Sequence, residues 1–175
     1  MAPKPPKKVL FTQAQIAQRL DAMAAQILKD YKGKRLLCLV VLRGGFFFAA
    51  DLIRRIASLD PELDFVRLTS YVGARSGRAP VFRGQLPSCS GYDVLVIEDL
   101  VDTGTTLSTL DQAIRAQGPN SLRYAVAVDK KARRQVEFTA DYIAFDLERD
   151  VFLVGYGMDH EGKFRTLPDI REAAQ

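Results

Sequence analysis

The sequence predicts an α/β fold, a central parallel sheet flanked by helices, and three observations carry that prediction. Residues 36–42 and 94–97 are continuous apolar runs, the pattern of strands buried on both faces. Apolar residues at helical spacing separate those runs. Strand and helix patterns then alternate along the chain, which builds parallel rather than antiparallel sheets.

In chain order, Thr12 and Gln15 form a capping box ahead of Ile16, Leu20, Met23, Ile27 and Tyr31, and Gly33 ends that helix. Residues 36–42 follow as a strand and Arg43-Gly44-Gly45 as a turn. A second helix carries Phe48, Leu52, Ile53 and Ile56 on one side. Residues 64–70 read as the second strand. Residues 71–91 hold Gly73, Gly77, Pro80, Gly84, Pro87 and Gly91, and read as a long loop or irregular hairpin of the kind that often serves as a lid. Residues 92–97 make the third strand. Its helix spans 105–117, with Leu107, Leu110 and Ile114 inward and Gly118-Pro119 as the stop. Residues 122–128 form a fourth strand, and 142–145 and 152–154 short ones. The turns after Leu42, Ile97 and Val128 then share the carboxyl edge of the sheet, where such folds bind ligands.

A chain of 175 residues suits one domain, placed at 12–175 behind a basic, proline-rich tail at 1–11 read as flexible. The start lacks the apolar segment of a signal peptide, and no apolar stretch is long enough to span a bilayer. Cys38 and Cys89 have neither metal-like nor redox-like spacing, so a reduced, cytoplasmic protein is expected. The net charge of +4 suits a polyanionic small molecule or a nucleic acid. The positive residues are spread out without an RNA-binding signature, which favours a generally basic enzyme, with no nucleic-acid or membrane partner.

The decisive run is Glu98-Asp99-Leu100-Val101-Asp102-Thr103-Gly104-Thr105-Thr106-Leu107. Two carboxylates end a strand, and a third opens a turn of glycine and hydroxyls that feeds a helix. Helix N-termini present unpartnered N–H groups and attract phosphate. Carboxylates beside a phosphate repel it unless a divalent cation and sugar hydroxyls intervene, so the run describes a site for a phosphorylated sugar. No Gly-Lys-Ser/Thr makes it a Walker A loop, and no Gly-x-Gly-x-x-Gly makes it a dinucleotide fingerprint. A plain strand-to-helix turn capped by Asp102 explains Asp102 and Gly104 but not two further acids.

The same run resembles the shared motif of the type I phosphoribosyltransferases. Across residues 36–168 the chain is most similar to the hypoxanthine-guanine phosphoribosyltransferases among them. The resemblance implies that family's fold, with a small hood drawn mainly from residues 142–175. It implies purine salvage by a magnesium-dependent pentosyltransferase, in which a 6-oxopurine displaces pyrophosphate from phosphoribosyl pyrophosphate. It also implies dimers or tetramers. Glu98 and Asp99 match the acids that meet the ribose hydroxyls, directly or through metal-bound water. Asp102, Thr103, Gly104, Thr105 and Thr106 match the 5′-phosphate cradle. Asp102 matches the carboxylate beside purine N7, where it would accept the proton that the base must lose.

Other segments match more weakly. Leu42-Arg43-Gly44-Gly45 resembles the pyrophosphate loop, which carries a non-proline cis peptide, and alone reads as a turn. Lys130 matches the lysine that reads the purine; a donor-only ammonium suits O6 and opposes the amino group of adenine. Lys130, Lys131, Arg133 and Arg134 alone read as a solvated basic run. Phe152 would stack on the purine and the Leu153 backbone would meet its edge; core packing is the competing reading of Phe152. Asp159 matches a carboxylate near the pyrophosphate metal, and Arg165 a pyrophosphate-binding arginine. Ser70 and Tyr71 match the start of a mobile loop, whose Arg75, Arg78 and Arg83 read as solvated. His160, where relatives often carry an aromatic hydroxyl residue, is given no role. Two alternatives stay open: a xanthine- or guanine-preferring enzyme, and an RNA-binding regulator on the same fold.

Overall fold

In the computed structural model, which describes residues 6, 8–69 and 81–174, two sheets share the chain. The larger has six strands. β2 (Leu36–Leu42), β3 (Glu62–Thr69), β5 (Asp93–Val101), β6 (Ser121–Lys130) and β7 (Tyr142–Leu147) run parallel in the order β3-β2-β5-β6-β7. The two-residue β4 (Val81–Phe82) pairs antiparallel with the outer side of β3.

Helices α1 (Gln13–Asp30) and α2 (Gly45–Arg55) cover one face, and α3 (Thr105–Arg115) the other. Strand alternation divides the core between them. Cys38 and Val40 of β2 pack with Leu20, Ile27, Phe48 and Leu52 on the first face. Leu39 and Val41 pack with Leu107, Leu110 and Ile114 on the second. The α1 capping box forms: the Gln15 N–H donates to Thr12 Oγ1 at 3.3 Å, and the Thr12 N–H to Gln15 Oε1 at 2.9 Å.

Several expected boundaries shift. β5 and β6 outrun their apolar cores, to Val101 and Lys130, because Glu98↔Val126, Leu100↔Val128 and Val101↔Asp129 continue the ladder. The acids therefore lie inside a strand rather than after it. β3 starts two residues early, α3 ends at Arg115 rather than 117, and Ile53 packs against the core while half-exposed beside Phe46. Residues 131–141 contain no helix, although the alternating pattern would place one between parallel strands.

The second sheet, β1 (Lys8–Phe11), β9 (Ile170–Glu172) and β8 (Leu153–Val154), was not foreseen as a unit. It corrects the reading of a flexible tail for residues 8–11: Lys8 and Val9 pair with Glu172 and Arg171, and the Phe11 ring stacks on Phe145 at 4.0 Å; residues 1–5 and 7 lie outside the described residues. Ser70, Tyr71 and loop residues 72–80, the core of the expected mobile loop, lie outside the described residues. Residues 81–91 begin with β4 and end near buried Cys89, whose N–H donates to Gln117 Oε1.

Candidate active site

The carboxyl ends of β2, β5 and β6 open into one cavity of about 460 Å³. Gly44, Glu98, Asp99, Asp102, Thr106 and Lys130 line its floor, and Phe152, Leu153, Asp159 and Arg165 reach it from the C-terminal segment.

Glu98 is buried, and Asp99 beside it is half-buried and lines the cavity. Burial, and then the Asp99 charge, push the Glu98 carboxyl well above the usual carboxylate range. Burial likewise raises Asp99, with hydrogen bonding to Glu98 and the Arg165 charge pulling the other way. The Asp99 carboxylate also occupies the space beside Gly44, so a Cβ there would have to displace that carboxylate. The Leu42–Arg43 peptide in this loop is cis, in the segment where the resemblance implied such a bond. Arg43 itself is exposed at the rim and does not line the cavity.

Residues 102–104 turn the chain from β5 into α3. Gly104 takes φ of 84°, and a Cβ there would sit 2.8 Å from the Val136 carbonyl. Thr103 Oγ1 accepts from the Thr105 N–H at 3.4 Å. Asp102 faces the cavity, half-buried, with Oδ1 enclosed yet without a hydrogen-bond partner among the described residues. Lys130 Nζ stands 3.6 Å from that oxygen and 2.8 Å from Asp150 Oδ1.

Lys130 is only 4% exposed, which removes it from the solvated run that its neighbours suggested. Arg134 leaves that run too. It pairs with buried Asp129, and its Nε donates to the Asp102 carbonyl at 3.2 Å. Lys131 and Arg133 stay half-exposed, paired with Asp146 and near Asp102. Phe152 is 50% exposed at the cavity wall, so core packing does not describe it. The His160 ring lies 5.2 Å from it, tilted. Asp159 pairs with Arg165, whose Nη1 donates to the Gly157 carbonyl at 2.5 Å. Among the described residues no three carboxylate, histidine or cysteine side chains converge as a metal cluster, so Asp159 stands apart from Glu98 and Asp99. Sequence reasoning gave no role to Asp150, Asp129 or Arg134. The dense charge of residues 129–134 was the only local signal for the last two.

The chain matches the family model of the phosphoribosyl transferase domain over residues 8–161. It is 38% identical over 172 residues to the hypoxanthine-guanine phosphoribosyltransferase of Dictyostelium discoideum, covering 95% of this chain and 94% of that one. The crystal structure of a hypoxanthine phosphoribosyltransferase from Staphylococcus aureus superposes with a TM-score of 0.91 at 35% identity, over 97% and 92% of the two chains. A hypoxanthine-guanine phosphoribosyltransferase from Bacillus anthracis gives 0.89 at 34%, over 97% and 99%. The acid pair, the glycine-hydroxyl turn and the buried lysine thus sit on a fold shared across almost the full length of these proteins, and the chain belongs to the phosphoribosyl transferase domain family.

Proposed function

We infer that this chain is a purine-salvage enzyme, a hypoxanthine-guanine phosphoribosyltransferase. It transfers the 5-phosphoribosyl group of phosphoribosyl pyrophosphate to N9 of hypoxanthine or guanine, forming IMP or GMP and releasing pyrophosphate. One observation carries the reading: a single cavity holds buried Glu98, half-buried Asp99, the Asp102 carboxylate, the start of α3 and buried Lys130. Relatives of that name, matched over more than nine-tenths of this chain, support it.

In this reading the 5′-phosphate rests on the N–H groups and hydroxyls of residues 102–106, and Glu98 and Asp99 meet the ribose hydroxyls. As N9 bonds to the anomeric carbon, the bond from that carbon to pyrophosphate breaks. The purine then carries excess positive charge, and its N7 proton passes to Asp102. Lys130 donates to O6, and Phe152 stacks on the base. Arg43, Gly44 and Arg165 receive the pyrophosphate, and the Leu153 backbone meets the purine edge.

The donor set fits magnesium. Glu98 and Asp99 set two carboxylates side by side, a juxtaposition that raises the Glu98 carboxyl, and Mg²⁺ favours one or two carboxylates completed by water and substrate oxygens. Asp159 would serve a second position beside the pyrophosphate. When bound, the ion supplies positive charge against the departing diphosphate.

Homodimers or homotetramers remain the assembly of this reading. An exposed apolar patch of Phe46, Leu63 and Phe65 supports it. The cytoplasm remains the location, on the two buried free thiols. No helix among the described residues is long and apolar enough to cross a membrane.

Pyrophosphate release assayed with hypoxanthine, guanine, xanthine, adenine and uracil tests the function. Turnover of hypoxanthine and guanine but not adenine is the expected result. Preference for xanthine would make the enzyme a different purine-salvage relative. Activity with uracil alone, or with no base, would favour an RNA-binding regulator.

A further inference from the structure

The structure assigns Arg134 a positioning role: together with the backbone of Gln135 and Val136 it aims the amides of the phosphate turn. This assignment rests on reading residues 102–106 as the phosphate cradle.

Two carbonyls of that turn point out of the cavity into the 134–138 segment. The Asp102 carbonyl accepts from Arg134 Nε at 3.2 Å. The Thr103 carbonyl accepts from the N–H groups of Gln135 and Val136, at 2.9 and 3.1 Å. In a trans peptide the carbonyl and the N–H point in opposite directions. Holding these two carbonyls outward therefore directs the N–H groups of Thr103 and Gly104 the other way. Neither N–H donates to a protein acceptor among the described residues. Two aligned, unpartnered amides at the start of a helix form an anion cradle.

Arg134 is itself held. Its guanidinium also contacts the Phe138 carbonyl and the buried carboxylate of Asp129. Adjacent residues of a strand face opposite sides. Lys130 enters the cavity, and Asp129, beside it, anchors the clamp behind it. Arg134 does not line the cavity, so it acts on phosphate only through the turn. The planar fork of arginine reaches three acceptors at once; a lysine could keep the charge facing Asp129 but not that geometry.

The experiment compares IMP with inosine by calorimetry in wild type and R134K. The two ligands differ only in the phosphate. R134K should lose about tenfold in IMP affinity and about twofold or less for inosine, the scale of one charged hydrogen bond, with its unfolding midpoint near that of wild type. Should R134K fail to fold, R134Q/D129N removes both charges of the pair together and should show the same split. In the wild-type protein, IMP but not inosine should shift the Thr103 and Gly104 amide resonances. A folded variant with unchanged IMP affinity, or with equal losses for both ligands, overturns the clamp alone. Wild type binding IMP no tighter than inosine, or amides unmoved by IMP, overturns the phosphate cradle and the clamp with it.

Discussion

β5 and β6 lie side by side and end at the same cavity, yet they treat buried charge in opposite ways. The β5 end brings Glu98 and Asp99 together, like charge against like, and their protons are held more tightly than usual. The β6 end balances itself: Lys130 faces Asp150 and Asp102, and Asp129 faces Arg134. A buried charge without a partner costs several kcal/mol, so a protein keeps one where a ligand will complete it. The contrast gives the proposed function its geometry: in that reading the unbalanced end receives a cation and the ribose phosphates, and the balanced end a neutral base.

The largest test of that contrast is Asp102, which stands between the two ends. Asp102→Asn should fold and bind both substrates but lose about 10²- to 10⁴-fold in kcat, the usual weight of a proton-transfer group. A kcat near wild type would falsify its role as base. Next is Lys130→Ala. It should raise the KM for hypoxanthine about 10- to 100-fold, through loss of a charged hydrogen bond, while the KM for phosphoribosyl pyrophosphate stays close to normal. Equal changes in both constants would erase the division of labour between the strand ends.

Phe152→Ala should be milder. Base–aromatic stacking is worth about 1–3 kcal/mol, so purine KM should rise about tenfold with little change in kcat. A purely structural Phe152 would instead lower the unfolding midpoint and leave purine KM alone.

The smallest effect concerns pH. Glu98 binds its proton more tightly in the folded chain than in the unfolded one. Its contribution to stability is therefore complete below the ordinary carboxylate value of 4.5 and is lost as pH rises through the raised folded value. Within that window, the unfolding midpoint of the protein without ligand should fall as pH rises, and Glu98→Gln should flatten the slope. An identical slope in the variant would mean that β5 carries no unbalanced charge.

The parts legible in the chain were those encoded within a dozen residues. The continuous run of β2, the Thr12–Gln15 capping box and the glycine-hydroxyl turn after β5 each announce themselves locally, because burial, capping and positive φ constrain neighbouring residues. The acid pair was legible for the same reason, since two carboxylates ending an apolar run have no local excuse. Resemblance to a known family then lent roles to Lys130, Phe152, Asp159 and Arg165, which local pattern left open.

What the tertiary structure alone decided was pairing across distance. β1 and β9 are short and pair with each other across more than 150 residues, so neither carries a strand signal of its own. Arg134 looked like one more solvated cation until the chain between β6 and β7, lacking a helix, folded back over the turn at residues 102–104. Asp150 gained its meaning only when the C-terminal segment came to face the end of β6. By itself, then, the sequence determined the parallel strands, the helices and the chemistry of the central turn, because those follow from short-range sterics and burial. Which charges meet, and which are left without a partner, depended on how distant segments close around the cavity.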